Sequence, residues 1–135
     1  MIRVEDYLGN MTHAEEPSSD VVSNALDLLS RVNVLLSRVT DLEPDLEAAS
    51  EPVINSGWRP ESYNATVPGA ARKSLHITGE AIDLADPEGE LDEFLFDNPH
   101  LLVETGLWCE HPSSTRRWTH LQARAPRSGN RFFFP

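Results

Sequence analysis

The sequence predicts an α+β fold, with a small antiparallel sheet flanked by helices and one long helix near the N-terminus. Three observations carry this. An apolar stripe at three-and-four spacing runs through residues 18–39, short strand-like runs recur from Val53 onward, and the segments between them are rich in proline, glycine and small polar residues. A chain of 135 residues is long enough for one domain with a proper core and short for two. The expected organisation is a single domain over residues 1–135, with a helical part over about 1–50 and a core over about 51–135.

The long helix rests on Val21, Val22, Ala25, Leu28, Leu29, Val32, Leu35, Leu36 and Val39. Ser18, Ser19 and Asp20 offer N-caps just after Pro17, and Glu43–Pro44 lies where the helix has stopped. An acidic linker then gives way to Val53 and Ile54, a short strand ending at Ser56 and Gly57. Residues 59–74 lack periodicity and hold two prolines and a glycine, which predicts a structured loop rather than a helix or strand. Residues 80–85 read as a central strand. Leu91, Phe94 and Leu95, then Leu101 and Leu102, predict two short helices broken at Asn98 and Pro99 and ended by Gly106. Strands follow at 107–110, 118–123 and 132–134, with the turn-rich "HPSSTRR" between the first two.

Composition narrows the function. Eleven basic against 22 acidic residues give a formal charge of −11, which repels nucleic acid and anionic membrane surfaces, so no nucleic-acid partner is expected. The one cysteine, Cys109, reads as a half-buried thiol and offers no cysteine-based metal framework. The N-terminal run over 1–17 has no apolar stretch of signal-peptide length and no segment reads as membrane-spanning, so a cytoplasmic protein is expected, with monomer as the default state.

The stretch with the most chemistry is "KSLHITGEAIDLAD", residues 73–86. It places Asp83 among apolar strand neighbours, seven residues after His76. Both residue types ligate zinc, and catalytic zinc usually takes three protein ligands. A third candidate is His120 in "WTHLQ", where Trp118, His120 and Gln122 share one strand face and an antiparallel neighbour would bring His120 beside Asp83. On the residues alone two readings stand: a metal centre, or hydrogen-bonded histidines of the core or surface.

Ser74, His76, Gly79, Ala81 and Asp83 fit the pattern S-x-H-x-x-G-x-A-x-D, which resembles the signature of the zinc D-Ala-D-Ala peptidases in the hedgehog/D,D-peptidase superfamily. "SGWRP" with "YN" resembles the family's S-G-[YW]-R-x segment, and "GLWCEHPSSTRRWTHLQ" the strand, turn and strand that deliver its last histidine. The resemblance covers residues 53–135 and is nearest to single-domain phage or prophage murein peptidases, whose N-terminal helix is of the sort seen here. It implies that His76, Asp83 and His120 bind Zn2+ on the sheet. It further implies that Arg59 holds a substrate carboxylate or the oxyanion, that Ser74 lines the site, and that Gly79 serves a sharp turn or a close approach to a ligand. Trp118 is a candidate wall of the substrate cleft, with Trp58 and Trp108 in the core or groove.

Amide hydrolysis needs a group that moves a proton from water to the leaving amine. The position where the family often carries that glutamate is Arg117 here, and another family arrangement places a histidine where Trp118 stands. Glu110, closing the strand "LWCE", is the expected base, whereas Glu104 is expected to face solvent or cap its turn and His111 to be a solvated loop residue. Asp86, Glu88 and Glu90 read as a solvated loop and helix start. The resemblance implies a zinc-dependent peptidase acting on peptidoglycan peptides. Its alternatives are a catalytically silent zinc-binding wall or phage structural domain, and a metal-free α+β domain.

Overall fold

The computed structural model describes residues 1–9 and 15–135. The N-terminal run read for a leader therefore includes residues 10–14, which lie outside the described residues. Seven α-helices, a 3-10 turn at Pro112–Ser114 and five strands occur among the described residues: α1 (Val4–Leu8), α2 (Ser19–Leu42), α3 (Glu47–Ser50), β1 (Ile54–Ser56), α4 (Glu61–Asn64), α5 (Leu75–Thr78), β2 (Ala81–Ala85), α6 (Glu90–Asp97), α7 (His100–Thr105), β3 (Trp108–Glu110), β4 (Trp118–Gln122) and β5 (Phe132–Phe133). None of these helices is long and apolar enough to cross a membrane.

Helix α2 begins where the cap chemistry predicts. The Ser18 hydroxyl accepts from the Val21 N–H, one of the four amides a helix start leaves without an internal partner. Its stripe of Ala25, Leu28, Leu29, Val32, Leu35, Leu36 and Val39 is buried against the sheet residues Ile82, Leu84 and Leu121 and the helical residues Leu91, Leu95, Leu101 and Leu102. Each such leucine or valine contributes roughly 1.5–3 kcal/mol through burial. The polar side chains of α2 tie down neighbouring segments. Asn33 clasps both backbone groups of Ile2, Asn24 donates to the Thr78 carbonyl, and Arg31 donates to the Gly106 carbonyl at 2.7 Å. The long helix thus holds α5 and the end of α7 in place as well as supplying core.

The sheet has the order β1-β2-β4-β3-β5. Its first four strands pair antiparallel, and β5 adds to the β3 edge in parallel, so the sheet is mixed rather than wholly antiparallel. The departure has a simple cause. The chain leaving β4 crosses β3 before pairing, and the Cys109 and His111 amides then donate to the Arg131 and Phe133 carbonyls. Alternation sorts the faces: Ile82, Leu84, Cys109, Thr119 and Leu121 point into the core, while Asp83, Glu110, His120 and Gln122 share the other side.

Three sequence expectations are corrected here. The loop over 59–74 opens with the single-turn helix α4, too short for any periodic signal. Cys109 is fully buried, its sulfur 3.8 Å from Asp92 Oδ1, rather than half-buried. Asp86 is also buried: its carboxylate accepts from the Leu91 and Asp92 amides at the start of α6 and from the Thr119 hydroxyl at 3.1 Å. A short acidic side chain before a helix satisfies its free amides better from inside than from solvent. Glu88 and Glu90 are exposed, as expected.

Candidate metal centre

The β2–β4 register sets Asp83 directly opposite His120. Because both residues alternate with core-facing neighbours, their side chains meet on the same face, with His120 Nδ1 2.8 Å from Asp83 Oδ1. His76 reaches them from α5, a single turn just before β2. Ser74 caps that turn, its hydroxyl accepting from the His76 amide, and Gly79 ends it at φ 81°. A Cβ at Gly79 would lie 2.8 Å from the Val21 carbonyl oxygen, so glycine is required by the turn and by close contact with α2, not by a ligand.

The "SGWRP" loop grips the same turn from the other side. His76 Nδ1 lies 2.9 Å from the Gly57 carbonyl, the Arg59 amide donates to the His76 carbonyl, and the Trp58 indole N–H donates to the Ile77 carbonyl. A carbonyl only accepts, so Nδ1 carries a hydrogen and is committed to Gly57, which makes Nε2, 3.3 Å from Asp83 Oδ2, the nitrogen that can turn to a metal. The two sequence motifs are therefore one structural unit: the first holds the histidine of the second.

Arg59 is held just as closely. Its Nε donates to the Ser56 hydroxyl at 2.8 Å and its Nη1 to Asn64 Oδ1 at 3.2 Å, while Nη2 stands 3.6 Å from Asp83 Oδ2. Asn64 is itself oriented by donating to the Ala71 carbonyl. Burial on its own would raise the Asp83 pKa, but hydrogen bonds from His120 and His76 and their charge outweigh it and hold the carboxyl well below the usual range. For His120, burial alone would lower the pKa; the hydrogen bond and charge of Asp83, with Glu110 beyond it, raise it overall.

The remaining sequence candidates divide. Glu110 is brought to the centre, with Oε1 3.8 Å from His120 Nδ1, and its pKa is raised by burial first and then by the charge of Asp83, against the opposing histidines. Trp118 is half-buried at the start of β4, on the His120 face by alternation. Glu104 instead pairs with Arg38 at 2.8 Å on the surface, and the Arg117 side chain is exposed. His111 is half-exposed, its ring stacked on Phe134 and edge-on to Phe96, with Nδ1 2.8 Å from the Ser113 hydroxyl.

Three contacts were not assigned from sequence. Phe133 approaches His120 edge-on with ring centroids 6.1 Å apart, Asn64 holds Arg59, and Gln122 Oε1 lies 2.8 Å from His120 Nε2. The i, i+2 spacing of His120 and Gln122 on a strand is the signal that points to the last of these.

The donor set suits zinc. A nitrogen each from His76 and His120 and a carboxylate oxygen from Asp83 lie within 4.8 Å of one another, the histidines buried and Asp83 half-buried. Two histidines and a carboxylate make a three-ligand set of the catalytic rather than the structural type. A dication would also offset the buried charge of Asp83. The sequence profile of the family described as peptidase M15 matches residues 10–122, most of the chain. The chain belongs to the peptidase M15 family. No curated protein and no solved structure gave a match in the corresponding searches. M15 peptidases are zinc-dependent, which makes this chain a metallopeptidase of the hydrolase class and accords with the triad His76, Asp83 and His120.

Proposed function

We propose that this M15 peptidase hydrolyses a peptide bond next to a D-amino acid in bacterial peptidoglycan, as a D,D-carboxypeptidase or a murein endopeptidase. The observation that carries the reading is Glu110 Oε1 at 3.8 Å from His120 Nδ1, a carboxylate beside the donor set where the family's usual glutamate position is Arg117. His76, Asp83 and His120 would hold the zinc, which would supply a water of lowered pKa and a Lewis acid for the scissile carbonyl.

Glu110 takes a proton from the attacking water and hands it to the departing amine nitrogen. Its raised pKa brings it nearer to the range in which one group both accepts and returns a proton. Arg59, immobilised by Ser56 and Asn64, presents its guanidinium to a substrate carboxylate or to the developing oxyanion. Trp118 shares the His120 face of β4 and Phe133 meets His120 edge-on, so both are placed to contact the substrate, and Ser74 supports His76 while keeping its hydroxyl hydrogen for a substrate carbonyl. With a net charge of −11, recognition of an anionic wall rests on these groups rather than on long-range attraction.

The setting that fits best is phage or prophage lysis by a monomer made in the cytoplasm, which meets the wall once the membrane is opened. The long N-terminal helix of the kind carried by such members supports it. The test is release of new amino groups from purified peptidoglycan by zinc-loaded and chelated protein. Release that depends on zinc supports the reading. Zinc-loaded protein that binds muropeptides and releases nothing would make it a binding domain instead.

A further inference from the structure

The contacts of His120 extend beyond the three ligands. Its Nε2 lies 2.8 Å from Gln122 Oε1, and Gln122 Nε2 donates to the Arg124 carbonyl at 2.7 Å. Each link in this relay dictates the next. The Arg124 carbonyl has no hydrogen to give, so the group of Gln122 that faces it must be the NH2. The amide oxygen then faces His120 and only accepts, so Nε2 of the ring must carry a hydrogen. Without metal, Nδ1 also carries a hydrogen, which it donates to the Asp83 carboxylate at 2.8 Å; with Nε2 committed to Gln122, Nδ1 is the nitrogen that can give up its hydrogen to a metal. Gln122 is only 6% exposed, which keeps bulk water from replacing its oxygen.

We propose that Gln122 is a positioning residue that fixes the tautomer and ring orientation of His120, so that Nδ1 is the metal-binding nitrogen. His76 uses the opposite arrangement, with Nδ1 tied to the Gly57 carbonyl and Nε2 turned to the centre. The two rings are thus oriented independently, one by a backbone carbonyl and one by a side-chain amide that a backbone carbonyl orients in turn. Hydrogen-bond partners of metal-bound histidines set ligand affinity in this way, and their loss typically weakens metal binding about 10- to 100-fold. The inference rests on reading His76, Asp83 and His120 as the metal centre.

The experiment is zinc titration of the full chain against a competing chelator, for wild type, Gln122→Leu and Gln122→Glu, together with 15N spectra of the zinc-loaded wild type. Leucine removes the acceptor at similar size, and zinc affinity is expected to fall about 10- to 100-fold. Glutamate keeps an acceptor facing Nε2 but loses the hydrogen given to the Arg124 carbonyl, and is expected to bind zinc more tightly than the leucine variant. The 15N shifts are expected to show His120 Nε2 protonated and Nδ1 bound to metal. Unchanged zinc affinity in Gln122→Leu, or zinc on Nε2 of His120, would overturn the proposal while leaving the metal centre intact. Wild type that binds no zinc would overturn the metal centre itself. If Gln122→Leu does not fold, the wild-type spectra still decide the matter.

Discussion

The Gly57 carbonyl oxygen lies 2.9 Å from His76 Nδ1, so the residue after β1 determines which nitrogen the histidine of α5 offers to Asp83. On the reading proposed above, metal affinity depends on the join between these two segments. One zinc per chain is therefore expected by elemental analysis, and chelation is expected to lower the melting temperature. At zinc a hundredfold above its dissociation constant, the stabilisation is about 2.7 kcal/mol. Asp83→Asn removes the buried carboxylate charge and is expected to abolish both the bound zinc and the chelator-sensitive part of the melt.

Arg59 donates to Ser56 and to Asn64 through different nitrogens, an arrangement that the single ammonium of lysine does not reproduce. Arg59→Lys is expected to keep zinc and to lower kcat/KM. A charge-assisted hydrogen bond is worth about 1.5–3 kcal/mol, which corresponds to roughly a 10- to 100-fold loss. Steady-state rates on a soluble muropeptide, with zinc content measured on the same samples, check this. Rates equal to wild type would remove Arg59 from substrate binding.

Gly79→Ala places a Cβ against the Val21 carbonyl at a positive φ. The expected cost is about 1–3 kcal/mol, lowering the melting temperature on the order of 5–10 °C. Because the same turn carries His76, zinc affinity is expected to fall with stability. Calorimetry of zinc-free and zinc-loaded protein separates the two effects, and an unchanged melt would show that α5 does not depend on its contact with α2.

Asp92 is buried beside Asp86, accepts from the Thr115 hydroxyl at 2.7 Å and has a pKa of about 6, raised mainly by burial. The folded protein therefore keeps this proton in a range where the unfolded chain, with an ordinary value of 3.8, has lost it. The contribution to stability is fully present below the unfolded value and is lost as pH rises through the folded one. Asp92→Asn retains an acceptor for Thr115 and has no proton to lose. Relative to wild type, its melting temperature is expected to gain as pH rises from about 4 to about 7, with the difference constant above that. A difference that does not vary with pH would contradict the assignment.

Much of this was legible in the sequence because its signals are periodic. Helix α2 followed from its apolar stripe and Ser18, and the meeting of Asp83 with His120 followed from strand alternation in two runs that pair antiparallel. Glu110 came from the family resemblance and its strand position. What escaped depends on contacts with no local pattern. Helices α3, α4 and α5 are single turns held by their neighbours, and the parallel pairing of β5 depends on a crossing past β3. Asp86 was misread as solvated because its amide and Thr119 partners come from α6 and β4. Gln122 was seen on the right face but given no role, since that depends on which way its amide is turned.

On the proposed mechanism, Glu110 beside His120 does the proton transfer that Arg117 cannot. Mass spectrometry of muropeptides digested by wild type and by Glu110→Gln, matched for zinc content, tests it most directly. The expected result is shorter or uncross-linked peptides from wild type and about 10²–10⁴-fold less product from the variant, with its zinc retained. Full product formation by zinc-loaded Glu110→Gln would contradict the claim.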